Sequence, residues 1–154
     1  MVRLICALAL VLLITTPSSG QQSLVGTYKL VSLFIEVDGK PYEPLAGAPR
    51  GYLVLTPTHF IYFFTGENRK FGTSVDAKAA LLDSLVAYAG SYRVEGDKYL
   101  QNIEVSFTES QKGKTRVTTY ERSGNRLTLI TGPIPFPRDL SKTMVSRLVW
   151  EKIE

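Results

Sequence analysis

The side chains able to do acid–base, nucleophilic or metal chemistry are few in this chain. There is one histidine, His59, and one cysteine, Cys6, in an N-terminal apolar run. Zinc sites rich in histidine or cysteine therefore lack ligands, and no thiol is left to pair with the histidine. No G-x-S-x-G elbow, Walker loop or G-x-G-x-x-G fingerprint occurs. A serine nucleophile would have only His59 to activate it. His59 follows Pro57 by two residues, at the start of a predicted strand, where it is either a surface turn residue, the commoner case, or a general base at the rim of the fold. Glu104 and Glu121 sit inside predicted strands. Turned outward they are solvated. Turned inward, either would be desolvated, its pKa raised, and it would serve as an acid or as a ligand's polar anchor. Gln101 and Asn102 carry the same ambiguity. No residue is assigned as catalytic or metal-ligating, and no cofactor is expected.

The positive signal is aromatic: eight tyrosines, seven phenylalanines and one tryptophan. Tyrosines facing a lumen give an apolar wall with a few hydroxyls to orient a guest, the usual make-up of a small-molecule pocket. The alternative is an aromatic core that fills a narrow barrel and admits no guest.

The elements that must position these rings start with Val25 to Lys40. A glycine, a long run of β-branched and aromatic residues and the pair Asp38-Gly39 read as a strand opening an antiparallel meander. At about thirteen residues it is more than twice the usual length. Tyr28, Leu30 and Phe34 fall on one face and Val31, Leu33, Ile35 and Val37 on the other, so both faces ask for cover. Pro41 to Arg50 is punctuated by proline and glycine and reads as a loop. Gly51–Thr56 and His59–Thr65 form a tight hairpin, the second strand carrying Phe60, Tyr62, Phe63 and Phe64. Asp76 to Ala89 is the one helical stretch, with Ala79, Leu82, Leu85, Val86 and Ala89 at helical spacing, Ser74 or Asp76 as cap and Gly90 as stop. Strands resume at Ser91–Glu95, Tyr99–Thr108, Thr115–Arg122 and Arg126–Thr131. The run Gly132–Pro137 reads as a loop, since its prolines do not suit a ladder. Thr143–Ile153 closes the chain. Eight strands and one helix predict an all-β, eight-stranded antiparallel barrel with one short covering helix, its long first and last strands paired to remove the sheet edges. A β-sandwich is the other architecture this pattern allows.

Ahead of the barrel, Arg3, the apolar run Leu4–Ile14 of about eleven residues and the small residues up to Gly20 have the form of a secretory signal. The run is short of the roughly twenty apolar residues a bilayer span needs. The expected division is residues 1–20 as signal peptide and 21–154 as one barrel domain. A retained N-terminal anchor is the competing reading, and lipidation at Cys6 would leave the apolar run unexplained. Cys6 leaves with the signal, so the exported domain is held by burial without disulfides. The net charge of +4 falls to +3 without Arg3 and is spread too evenly to point to nucleic acid. The local cluster Lys112, Lys114, Arg116, Arg122 and Arg126 is either a solvated edge or a mouth for a lipid or anionic ligand.

Several segments carry a family resemblance: L-V-G-T-Y-K-L-V-S at 24–32, G-Y-L-V-L-T-P at 51–57, A-Y-A-G-S-Y at 87–92, G-N-R-L-T-L at 124–129, T-G-P-I-P at 131–135 and L-V-W-E-K at 148–152. In this order they resemble the lipocalin-like domain family within the calycins. The resemblance implies a closed or nearly closed barrel with an internal pocket for a small apolar molecule. The Gly-x-Trp opening common in lipocalins is matched by Gly26-Thr27-Tyr28, which implies that Tyr28 points into the closed end. Members often carry histidine where this chain has Gln101-Asn102 and arginine where it has Thr118, so any acid–base or anion-binding task of those residues would be lost here.

The residues expected to meet a guest are Tyr28, Tyr52, Tyr62, Phe64, Tyr92, Gln101, Tyr120 and Trp150, with Tyr28 and Trp150 as floor and wall. The expected function is a secreted or periplasmic protein, monomer or weak dimer, that carries or sequesters a small hydrophobic molecule. It would have no nucleic-acid partner and no stable membrane insertion once the signal is removed. Two other classes stay open. One is a barrel enzyme steering a cyclisation or isomerisation by preorganisation. The other is an extracellular interaction module using the loops Pro41–Arg50 and Gly132–Lys142.

Overall fold

A computed structural model describes residues 23–45 and 47–154. The signal peptide read over residues 1–20 lies outside the described residues. The strands are β1 (Gly26–Val37), β2 (Lys40–Pro41), β3 (Pro49–Leu55), β4 (His59–Gly66), β5 (Leu85–Glu95), β6 (Lys98–Ser106), β7 (Thr115–Ser123), β8 (Arg126–Phe136) and β9 (Asp139–Lys152), and between β4 and β5 lies a helix, α1 (Val75–Asp83). Apart from the two-residue β2, a flap on the end of β1, each strand pairs antiparallel with the next in sequence. Pairing of β1 with β9, from Tyr28 opposite Lys152 to Val37 opposite Met144, closes an eight-stranded barrel. The long first and last strands meet, and no free edge is left between them.

Connections at one end are two or three residues long: 56–58, 96–97 and 124–125. At the other end, the segments 38–48, 67–84 and 107–114 are longer, with only 137–138 short. The first end is closed, and most of the fully buried large side chains sit there. Leu24, Tyr28, Leu55, Phe60, Tyr92, Tyr99 and Leu127 fill it, all buried. Tyr28 donates its hydroxyl proton to the Leu24 carbonyl at 2.7 Å, and Tyr92 donates to that of Thr56 at 2.8 Å. Burying these rings is the main stabilising term, and the two bonds answer the hydroxyls' need for partners.

Three local features differ from the sequence pattern, each for a physical reason. The two apolar faces of β1 are one inner face interrupted by a bulge. Leu30 pairs with Trp150, and the next pair is Ser32 with Val149, so Val31 is the extra residue and parity reverses there. Tyr28 and Leu30 point inward before it, Leu33 and Ile35 after it, and Phe34 is exposed.

The helix ends at Asp83 rather than near Ala89. Ser74 caps its start by accepting from the Ala77 amide at 3.2 Å, but Leu85–Ala89 belong to β5. Along that strand Tyr88, Gly90, Tyr92 and Val94 are buried at period two, the alternation of a half-buried strand. Over five residues the helical and strand periods overlap. None of the side chains of α1 is buried.

The proline-rich run expected as a loop continues β8. After Thr131, opposite Thr118, β8 has no partner in β7 and pairs only with β9, with register shifts between Thr131 and Ile134 and between Pro135 and Phe136. Prolines are tolerated on such a free edge and at bulges. Gly132, at φ +120, precedes a cis peptide to Pro133. Among the described residues no helix is long and apolar enough to cross a membrane.

Candidate ligand-binding site

Above the aromatic floor the barrel contains a cavity that opens among the long connections. Its internal volume is about 70 Å³, within about 700 Å³ of empty space counting the open mouth. That is room for several waters or part of a small guest. Its walls follow from strand alternation. β1 contributes Leu33 and Ile35, β4 Tyr62 and Phe64, and β5 Val86 and Tyr88. From the far side come Gln101 of β6, Arg116 and Thr118 of β7, Leu129 and Thr131 of β8, and Met144, Ser146, Leu148 and Trp150 of β9. Tyr42, Pro44, Phe107, Phe136, Pro137 and Arg138 surround the mouth.

The rings are locked against one another. Tyr62 stacks on Phe64 with centroids 5.9 Å apart and meets Tyr88 edge-on at 5.3 Å. Trp150 lies 6.2 Å from Tyr62 and 6.3 Å from Phe64. Such contacts add about 0.5–1.5 kcal/mol per pair beyond the area buried. The Trp150 indole nitrogen and the Tyr99 hydroxyl are buried without a hydrogen-bond partner of standard geometry. Burial raises the Tyr99 pKa well above its ordinary value, and neighbouring Tyr92 adds to the rise. On the far wall the Thr118 and Thr131 hydroxyls, 2.9 Å apart, share one hydrogen bond.

One charge lies inside. Arg116 Nη1 donates to the Tyr62 hydroxyl at 2.9 Å and Nη2 to Gln111 Oε1 at 3.0 Å. The guanidinium carbon stands 4.4 Å from the centre of the Tyr88 ring, a cation–π contact. Its Nε is buried without a partner. Burial pulls the Arg116 pKa down, the tyrosine oxygens pull it up, and the net displacement is upward, so the group is a cation at any physiological pH. The Tyr62 pKa moves up as well, by burial first, with Arg116 opposing. At the mouth, Arg138 bonds Asp83 at 3.2 Å and the Leu85 carbonyl at 3.4 Å, beside the Phe107 ring. It ties the β8–β9 turn to the end of α1.

The eight residues singled out in the sequence divide into three groups. Tyr62, Phe64, Gln101 and Trp150 line the cavity. Tyr28 and Tyr92 are buried in the closed end, and Tyr120 is half-buried against the core. Tyr52 is 45% exposed on the outer face of β3, because the inward positions there are Gly51, Leu53 and Leu55. Glu104 and Glu121 face solvent, Glu104 accepting the Ser91 amide at 3.1 Å. His59 is exposed at the first position of β4, its Nδ1 2.8 Å from the Thr58 hydroxyl.

The basic cluster of residues 112–126 is not one patch. Lys112 and Lys114 lie at the open end, Arg122 and Arg126 at the closed end, and Arg116 inside. Arg116 is the wall residue its sequence setting conceals, flanked by lysines that look like a solvated edge. Only its place in T-R-V-T-T-Y, in phase with Thr118 and Tyr120, marks it as inward. It also supplies the lumen with the guanidinium that Thr118 lacks, from two residues earlier on the same face.

An up-and-down barrel of eight strands with an apolar cavity open at one end is an architecture able to hold one small ligand. Residues 25–153 match the lipocalin-like domain family, and the chain belongs to it. No curated protein and no solved structure matches the chain.

Proposed function

We propose that this protein is exported and holds a small hydrophobic molecule inside the barrel, as a carrier or a sequestering protein. The observation that carries the reading is the cavity itself. Leu33, Ile35, Phe64, Leu129, Leu148 and Trp150 give it apolar walls, a few polar groups converge on it, and the mouth is bordered by loops. That composition suits an apolar guest oriented by one or two hydrogen bonds. Export rests on the N-terminal segment, whose apolar run has the length and flanks of a signal peptide.

Native mass spectrometry of protein purified from its own source, followed by organic extraction of any adduct, tests the reading. A stoichiometric apolar adduct that disappears in Phe64→Trp supports it. A clean apo mass together with no uptake of Nile red sinks it.

A second reading has one observation in its favour. The outer face of β3 and β4 exposes Tyr52, Val54, Ile61 and Phe63, with Tyr52 paired to Phe63 and Val54 to Ile61 across the strands. That apolar surface is the feature an interaction module would use.

A further inference from the structure

The cavity is apolar, yet it contains a cation and no acid. Of the 21 residues around it none is Asp or Glu, while Arg116 and Arg138 are both present. Arg138 has its counter-charge in Asp83. Arg116 has none: it makes no ion pair among the described residues, and its hydrogen-bonding partners, the Tyr62 and Tyr88 phenols and the Gln111 amide, are all neutral.

Arg116 is part-buried, and a charge withdrawn from water without a counter-ion is costly. The Tyr88 ring offsets part of that cost but cannot neutralise the charge. Hydrophobic filling of the barrel alone would be served as well by leucine or methionine at this position. A guanidinium held by Tyr62, Gln111 and Tyr88 is instead a preorganised planar fork, the geometry that receives a carboxylate. One guanidinium balances one negative charge. A phosphate dianion would leave the second uncompensated in an apolar space, since the next cation is already paired.

Building on the carrier reading, we infer that the guest is a monoanionic amphiphile whose carboxylate pairs with Arg116 and whose apolar body lies against Phe64, Leu129, Leu148 and Trp150. Tyr62 and Gln111 are positioning residues that hold the guanidinium in place.

Titration calorimetry on the purified protein with octanoate, 1-octanol and octyl phosphate at neutral pH tests this. Nile red serves as a neutral probe of the cavity. Octanoate is expected to bind at least about tenfold more tightly than 1-octanol, the range of a charge-assisted hydrogen bond. In Arg116→Met that preference disappears while 1-octanol still binds, and Arg116→Lys restores part of it.

Equal affinities for acid and alcohol in the unmodified protein overturn the inference and leave the carrier reading standing. An acid preference that survives in Arg116→Met also overturns it. Tighter binding of octyl phosphate than of octanoate moves the guest to a doubly charged class and overturns the carboxylate assignment. No binding of any of the three, with no Nile red uptake, overturns both readings. Should Arg116→Met fail to fold, the acid–alcohol comparison in the unmodified protein decides alone.

Discussion

The Tyr62 hydroxyl and the Arg116 guanidinium meet at 2.9 Å although 54 residues separate them in the chain. They come from β4 and β7, which are not neighbours in the sheet, so barrel closure brings them together. Tyr62→Phe keeps the ring and its stacking but leaves a donor of the part-buried Arg116 cation without its partner. The expected loss is about 1–3 kcal/mol in unfolding free energy, read as a lower urea midpoint at unchanged slope. An unchanged midpoint would mean that the bond is not formed in solution.

Alkaline pH should unfold the protein before it ionises all its tyrosines. Tyr28, Tyr62, Tyr92 and Tyr99 all have pKa values raised, by burial above all, from the ordinary 10.0, that of Tyr92 to about 12. With folded values above unfolded ones, the native state keeps protons that the unfolded chain releases. Their stabilisation is complete below pH 10.0 and declines as pH rises towards about 12 and beyond. Each such tyrosine steepens the decline by at most about 1.4 kcal/mol per pH unit. Phenolate absorbance recorded alongside circular dichroism checks this. Ionisation of all eight tyrosines with the fold intact would contradict it.

Ser146 points inward from β9 into the cavity and is buried. Ser146→Phe puts a ring where a guest would lie. Nile red uptake should fall at least about tenfold, while stability changes by no more than the roughly 1–3 kcal/mol of overpacking. Uptake that persists unchanged would place the dye elsewhere on the protein.

Gly90 sits where β5 shifts register against β6, between Ala89 and Gly90. A Cβ built there would lie 1.9 Å from the Asn102 carbonyl oxygen, so the strands must part to admit it. Gly90→Ala should cost about 3 kcal/mol or more, measured by denaturant unfolding. Gly124, at a tip with nothing within 4 Å of such a Cβ, provides a control free of any steric clash, although its φ of +58 adds backbone strain to Gly124→Ala.

Arg138→Ala removes the tie between the β8–β9 turn and the end of α1. The Asp83 partner is largely exposed, so stability should fall by less than about 1 kcal/mol. Release of Nile red, followed by stopped-flow fluorescence, should become faster. An unchanged release rate would show that the guest leaves by another route.

The barrel and its closing pair are legible in the sequence because they follow from alternation and strand length. The failures occur where one residue changes the local rule. Val31 adds a bulge and turns one inner face into two apparent ones. Leu85, Val86 and Ala89 fit a helix as well as a strand over so short a span, and only the period-two series continuing to Val94 separates them. Pro133 and Pro135 are admitted because β8 has lost one neighbour, a fact of the sheet rather than of the segment. At the site, Tyr62, Phe64 and Trp150 follow from the aromatic load, whereas the face of Gln101 is left open by a strand whose polar residues fit either side. Tyr52 is placed on the wrong face by that reasoning because its strand is apolar on both sides. Arg116 is concealed because a charged residue among lysines reads as surface until its strand phase is fixed.

The two ends of the folded unit meet at the floor of the barrel. Thr27 donates its amide to the Glu154 carbonyl at 3.1 Å, and Lys152 Nζ reaches the Val25 carbonyl at 2.9 Å. Both therefore leave the barrel from the side opposite its mouth. A tether, fusion partner or surface attached at either terminus would hold the protein like a cup by its base, with the opening turned away from the attachment. A short linker joining Val25 to Glu154 would allow the barrel to be reopened in the loop 67–74 without breaking a strand.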